Sequence, residues 1–211
     1  MIKLKYLGWI IQLSMKIKAQ DLALVSLFSA ACIVVGYGKG LSLPFLPGVV
    51  EFMAVVVFVS GFMFGWVVGA LNGALTLAVY MLVPSSFAHP SAWLFVISPV
   101  LLIIMAGLGA LYGLVGGIVG KRYRLKNITP KFVLMMALWG FVLTFAYDIL
   151  SSVGFYVAYP GIYPSVWEAI ILTFIPAWMP YPPIVHTVTN TIIFGLVAPP
   201  LIKAISIFRR S

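Results

Sequence analysis

Long apolar stretches separated by short breaks organise this chain of 211 residues. They predict helices of membrane-spanning length near residues 20–36, 49–65, 68–83, 92–119, 131–157 and 184–205. Between the second and third there is no polar break: from Val49 to Val83 the chain runs 35 residues with Glu51 as its one charge. A single helix of that length would measure roughly 50 Å, against a bilayer core of about 30 Å. A hairpin turning near Gly65-Trp66-Val67-Val68-Gly69 removes the excess.

The basic residues favour the hairpin too. Lys3, Lys5, Lys16 and Lys18 precede the first span and Lys39 follows it; Lys121, Arg122, Arg124, Lys126 and Lys131 share one loop; Lys203, Arg209 and Arg210 close the chain. With six spans, twelve of the thirteen fall on one side and only Lys39 on the other; with five, the split is four against nine. Because short loops retain basic residues in the cytoplasm, the expected fold is an all-α membrane protein of six transmembrane helices with both termini cytoplasmic. Residues 1–19 are expected to form a cytoplasmic or interfacial segment, and 20–211 a single transmembrane domain. In the N-terminal segment Leu4, Leu7, Ile11 and Met15 share one side of a short interfacial helix. Its apolar core is too short for a secretion signal, and a start at Met15 would leave only a brief lead-in to the first span.

Composition narrows the function classes. At 63% hydrophobic, 8% charged and mean hydropathy +1.15, a soluble domain is excluded. The net charge of +9 is concentrated at one membrane edge, where anionic headgroups rather than nucleic acid account for it. The single cysteine, Cys32, excludes an internal disulfide and a cysteine-built metal site, and no cofactor is expected. Without a Gly-x-x-x-x-Gly-Lys-Ser/Thr loop, the chain cannot hydrolyse ATP by itself.

Small residues recur at helical spacing. Gly61, Gly65, Gly69 and Gly73 run through the proposed hairpin, and Gly109, Gly113 and Gly117 through the fourth span, with Gly116 and Gly120 alongside. Such faces let helix backbones approach closely in lipid, mostly as internal packing. In the first span Ser26 and Ala30 form a sparser stripe that suits a partner helix. The segment from 157 to 183 differs: six prolines interleave with Tyr159, Tyr163, Trp167, Trp178 and Tyr181, so it cannot run as one helix. Its aromatics suit the membrane interface or a lid over a pocket.

Ionisable groups inside a span are costly and usually face an interior or a watery cavity. Asp148 lies 17 residues after Lys131, which places it roughly 25 Å from the cytoplasmic edge. Ser152 and Tyr156 follow at successive turns, and His186 and Asn190 are one turn apart on the last span. These two polar stripes reach similar depth, as a pocket or as a direct Asp148–Asn190 hydrogen bond that glues two helices. Outer loops add Lys39, His89, Trp93, Trp167, Glu168 and Trp178, with Trp93 and Trp178 able to sandwich a planar ring. Against the carboxylates Glu51, Asp148 and Glu168, a neutral or cationic ligand is easier to hold than a dianion.

The chain from Met15 onward resembles the substrate-binding S components of energy-coupling-factor (ECF) vitamin transporters. The resemblance rests on Ala23-Leu24-Val25-Ser26-Leu27-Phe28-Ser29-Ala30-Ala31, on Val59-Ser60-Gly61-Phe62-Met63-Phe64-Gly65, and on Gly69-Ala70-Leu71-Asn72-Gly73. Tyr147-Asp148-Ile149-Leu150-Ser151-Ser152 and Asn190-Thr191-Ile192-Ile193-Phe194-Gly195-Leu196 complete it. It implies a membrane subunit of an ABC-type importer that captures a vitamin or related micronutrient outside a prokaryotic cell. Delivery inward would need a transmembrane coupling subunit and two cytoplasmic ATPases as partners. The family's Ala-x-x-x-Ala pair, which meets the coupling subunit, corresponds to Ser26 and Ala30, with serine replacing the first alanine. In that reading the candidates to border the substrate are Lys39, His89, Trp93, Asp148, Ser152, Tyr156, Trp178, His186 and Asn190. Two other classes remain: an intramembrane serine protease built on Ser152 and His186, although Ser151-Ser152-Val153-Gly154 departs from Gly-x-Ser-x-Gly, and a passive channel or structural bundle.

Overall fold

In the computed structural model, residues 17–42, 51–82, 98–123, 127–174 and 183–208 are described. They form seven helices: α1 (Ala19–Ser42), α2 (Phe52–Phe64), α3 (Trp66–Leu82), α4 (Pro99–Arg122), α5 (Pro130–Ala158), α6 (Val166–Phe174) and α7 (Pro183–Phe208). Four of them, α1, α4, α5 and α7, are long and apolar enough to cross a membrane. At 13 and 17 residues, α2 and α3 measure about 20 and 26 Å, short of a bilayer core of about 30 Å. Among the described residues there is no strand beyond an isolated Pro160–Tyr163 bridge.

Local chemistry starts and stops these helices. Ser98 accepts a hydrogen bond from the Leu101 N–H at 3.3 Å, and Thr129 accepts one from Phe132 at 3.2 Å. Each is followed by a proline at the first helical position, where the missing N–H costs nothing. Between α2 and α3 the break is one residue, Gly65, at φ +100, a conformation that side chains oppose. Pro199 and Pro200 lie inside α7, which continues through them to Phe208. Prolines are tolerated in apolar helices where neighbours re-satisfy the freed backbone groups.

Contacts fix the helix directions. Gly69 lies against Gly61 and Gly73 against Val57, so α2 and α3 form an antiparallel hairpin. Against that hairpin packs α4, antiparallel to α3 through Gly69–Gly113 and Gly73–Gly109, and parallel to α2 through Phe58–Gly116 and Phe62–Gly120. A Cβ added at Gly61, Gly69, Gly73, Gly109 or Gly113 would run into the backbone of a facing helix. The glycine stripes are thus the surfaces on which α2, α3 and α4 meet backbone to backbone, where dispersion contacts substitute for a hydrophobic driving force. Tyr112–Thr144 and Met105–Tyr147 pair α4 antiparallel with α5, and Thr144–Asn190 with Asp148–Thr187 pairs α5 antiparallel with α7.

These directions bring Lys18, Lys121, Arg122, Lys131 and Lys203 to one end of the bundle, with the Gly65 turn one helical turn away beside Gly117 and Trp66. The core runs through all six larger helices. Phe58 packs edge-on against Phe194 at 5.5 Å between ring centres, and Phe62 against Phe132 at 6.2 Å. On α1 the buried face is Val25, Ser29, Cys32 and Gly36, turned to the hairpin; Ala23, Ser26, Leu27, Ala30 and Val34 are exposed on the other side.

Candidate functional site

Two buried polar clusters interrupt the apolar interior. The first joins α5 and α7 in the half of the bundle away from the basic end. The Asp148 carboxylate is buried; its Oδ1 is 2.8 Å from His186 Nδ1 and its Oδ2 accepts a hydrogen bond from Thr187 Oγ1 at 2.8 Å. His186 Nε2 lies 3.0 Å from Asn190 Nδ2, which also reaches Thr144 Oγ1 at 3.4 Å. The backbone N–H of Glu51, just ahead of α2, donates to Asn190 Oδ1 at 3.2 Å. Tyr112 donates from α4 to Thr144 at 3.2 Å, and the Tyr147 ring stands edge-on to the imidazole at 6.4 Å. Three helices and the residue that precedes α2 therefore share one connected hydrogen-bond network.

That geometry corrects one sequence expectation. Asp148 and Asn190 do not bond each other; the imidazole of His186 bridges them. The reason is helical spacing: four residues separate His186 from Asn190, stacking their side chains one turn apart and inserting the ring between carboxylate and amide.

The remaining expected site residues fall in different places. Ser152 is fully buried and its hydroxyl donates to the Asp148 backbone carbonyl at 2.7 Å, while both nitrogens of His186 face Asp148 and Asn190. The structure does not bring the Ser152 hydroxyl to the imidazole as a nucleophile–base pair requires. Tyr156, two turns beyond Asp148, borders a shallow depression of about 480 Å³ with Pro160, Gly161 and Tyr163. Ser26 and Ala30 are both exposed on α1. His89, Trp93 and Trp178 lie outside the described residues, as does the side chain of Lys39, whose backbone belongs to the last turns of α1.

Thr144, Thr187, Tyr112 and the Glu51 N–H were not singled out by the sequence, although Thr144 lies one turn before Asp148 and Thr187 directly follows His186. The second cluster was missed as well. At its centre, fully buried Asn72 accepts from Ser29 at 2.8 Å and from Thr76 at 3.1 Å, and donates to Ser60 at 2.8 Å. It fastens α1 to both arms of the hairpin. A lone asparagine beside Gly73 was its one signal in the sequence.

The described residues form a helical bundle compatible with a multi-pass membrane protein, with four helices of membrane-crossing length and composition and an interior Asp–His–Asn relay. No protein-family model, curated protein or solved structure matches the chain.

Proposed function

We propose that this protein is the substrate-binding S component of an ECF-type importer, a six-span protein of a prokaryotic plasma membrane with both termini in the cytoplasm. In this reading the hairpin arms α2 and α3 serve as the second and third spans, and the end that gathers the basic residues faces inward. The observation that carries it is the Asp148–His186–Asn190 network inside the bundle, in the half away from the basic end, since a membrane protein retains ionisable groups within its spans chiefly for function. The exposed small residues Ser26 and Ala30 support a second interface, since they offer α1 to a helix of the coupling subunit without a side chain in the way. Energy would come from two partner ATPases.

One observation favours a purely structural bundle. Among the described residues every buried side-chain nitrogen and oxygen has a hydrogen-bond partner, so the network is complete without a ligand. The two readings part in a titration of the purified protein, followed by its tryptophan fluorescence, with flavins, thiamine, pyridoxal forms, biotin, folates and corrinoid precursors. The binding reading expects saturable submicromolar quenching by one of these, weakened by Asp148→Asn. A flat response to the whole panel from monodisperse, helical protein favours the structural bundle.

The α1 face has its own prediction. Ser26→Leu and Ala30→Leu place large side chains on an exposed surface, so they leave folding and ligand binding as in the parent while abolishing copurification of the coupling subunit and ATPases. Retained copurification would remove α1 from the interface.

A further inference from the structure

With a neutral imidazole the relay can be wired in only one way. The Glu51 N–H is a backbone donor, and a donor it remains in every protonation state. It points at Asn190 Oδ1, which fixes the amide orientation and turns Nδ2, also a donor, toward His186 Nε2. Nε2 must then be a bare acceptor, and the ring's proton sits on Nδ1, aimed at Asp148 Oδ1. Asp148 is the acceptor at the far end, held there by Thr187 on its other oxygen. The tautomer thus follows from the backbone, where ordinarily it is a matter of assignment.

We infer that His186 Nε2 is a proton-binding site whose occupation unlatches α7 from the start of α2. When a proton from water takes the Nε2 lone pair, Nε2–H and Asn190 Nδ2–H face each other as two donors 3.0 Å apart. The amide can restore a bond only by turning over, presenting Oδ1 to the imidazolium. That rotation sets Nδ2 against the Glu51 N–H, and the bond from α7 to the first residue ahead of α2 is lost. The Asp148–His186 contact survives, since a carboxylate accepts from an imidazolium as readily as from a neutral ring. Protonation therefore keeps the bond from α7 to α5 and breaks the one to the residue ahead of α2, while the Phe58–Phe194 contact between α7 and α2 stays in place. The latch is closed while Nε2 is bare and open once it carries the proton, so acid favours the open form.

Among the described residues the ring is partly exposed, and two carboxylates, Asp148 and Glu51, belong to its surroundings. The His186 side chain is 15% exposed, against 7% for Asp148. Facing it are Asp148 and Tyr147 from α5, Tyr112 from α4 through Thr144, and Glu51 at the head of α2. Exposed Glu168 is on α6, and Lys39 is in the last turns of α1 at the same end of the bundle. This device is independent of which ligand, if any, the protein carries.

The chain has two histidines, so His89→Gln leaves one imidazole to observe. Nitrogen NMR of the full-length, ¹⁵N-histidine-labelled variant in lipid nanodiscs, read from pH 8.5 to pH 5, reports the tautomer directly; His89→Asn serves if the glutamine variant misfolds. The expected spectrum has Nδ1 protonated and Nε2 bare at the alkaline end and both protonated at the acid end. In parallel, the hydrogen-exchange protection of the Glu51 amide, corrected for intrinsic rates, falls roughly tenfold across the same transition, the equivalent of one hydrogen bond. Asn190→Ala removes the pH dependence of that protection, while His186 still takes up its proton. An Nε2–H tautomer at alkaline pH, or titration of His186 with unchanged protection at Glu51, overturns the inference.

Discussion

Gly113→Ala is expected to abolish folding of the bundle, although it adds one methyl group to an all-helical chain. The new Cβ would overlap the carbonyl oxygen, carbonyl carbon and Cα of Gly69. Backbone atoms in the middle of a helix cannot turn aside as a side-chain tip can, so α3 and α4 must separate along their whole contact. Separation also lifts α4 from Phe58 and Phe62 of α2, which rest on Gly116 and Gly120. A cost on the order of 4 kcal/mol or more follows, the range reserved for core disruption. The comparison that makes this specific is Gly107→Ala, on the same helix but exposed, with nothing within 4 Å of an added Cβ. Helix propensity alone then operates, and Gly107→Ala should leave stability unchanged or raise it by up to about 1 kcal/mol. Thermal unfolding of both variants in the same detergent, with size-exclusion profiles, checks the pair. Equal melting of Gly113→Ala and wild type would contradict the backbone contact between α3 and α4.

The second large effect is at Asp148. Asp148→Leu leaves the Nδ1–H of His186 facing hydrocarbon, with the ring already committed on its other side to Asn190. Thr187 suffers less, because a threonine on a helix can turn its hydroxyl to the carbonyl four residues back, as Thr189 and Thr191 do at 2.7 Å. The expected loss is therefore set by one stranded donor and comes to about 2–3 kcal/mol. Asp148→Asn keeps an oxygen for the imidazole and should cost about 1 kcal/mol or less. Asp148→Leu with His186→Leu should recover much of the single-variant loss, since removing both buried partners strands neither. Denaturant unfolding of the three variants gives the coupling directly, and strict additivity would show that the two side chains do not depend on each other.

Much of the architecture could be read from residue types. The need to fold 35 apolar residues back on themselves pointed to a turn within Gly65–Gly69, which the structure makes at Gly65, and the glycines spaced by four pointed to helix contacts that the structure places between α2, α3 and α4. Asp148, His186 and Asn190 stood out because polar residues in an apolar helix are few. What could not be read was which way each helix face turns. A soluble helix announces its buried side by an apolar stripe, whereas a helix between lipid and protein is apolar all round. Hence Ser29 and Ser26, three residues apart on α1, carried no mark that one is buried on Asn72 and the other exposed. The same flatness hid Thr144 and Thr187, whose hydroxyls complete the relay. Pro199 and Pro200 were equally silent, since a proline pair that would end a helix in water can be carried through one in an apolar bundle. The nine-residue α6, within the proline-rich stretch after α5, had no apolar repeat long enough to announce it.

The brevity of the hairpin has a mechanical consequence for the surrounding lipid. With 17 residues α3 presents a hydrophobic height of about 26 Å, bounded by exposed Trp66 at one end and exposed Leu82 at the other. Beside it α4, at 24 residues, is about 36 Å long, and α5, packed on α4, reaches about 43 Å with 29 residues. A bilayer wrapped around this bundle meets walls of unequal height and must thin along the α3 side or tilt the whole molecule to equalise them. The protein therefore carries a preferred orientation relative to membrane thickness: thin bilayers suit α3, thick ones suit α4 and α5. Acyl-chain length becomes a variable that acts on the molecule without touching any of its polar groups.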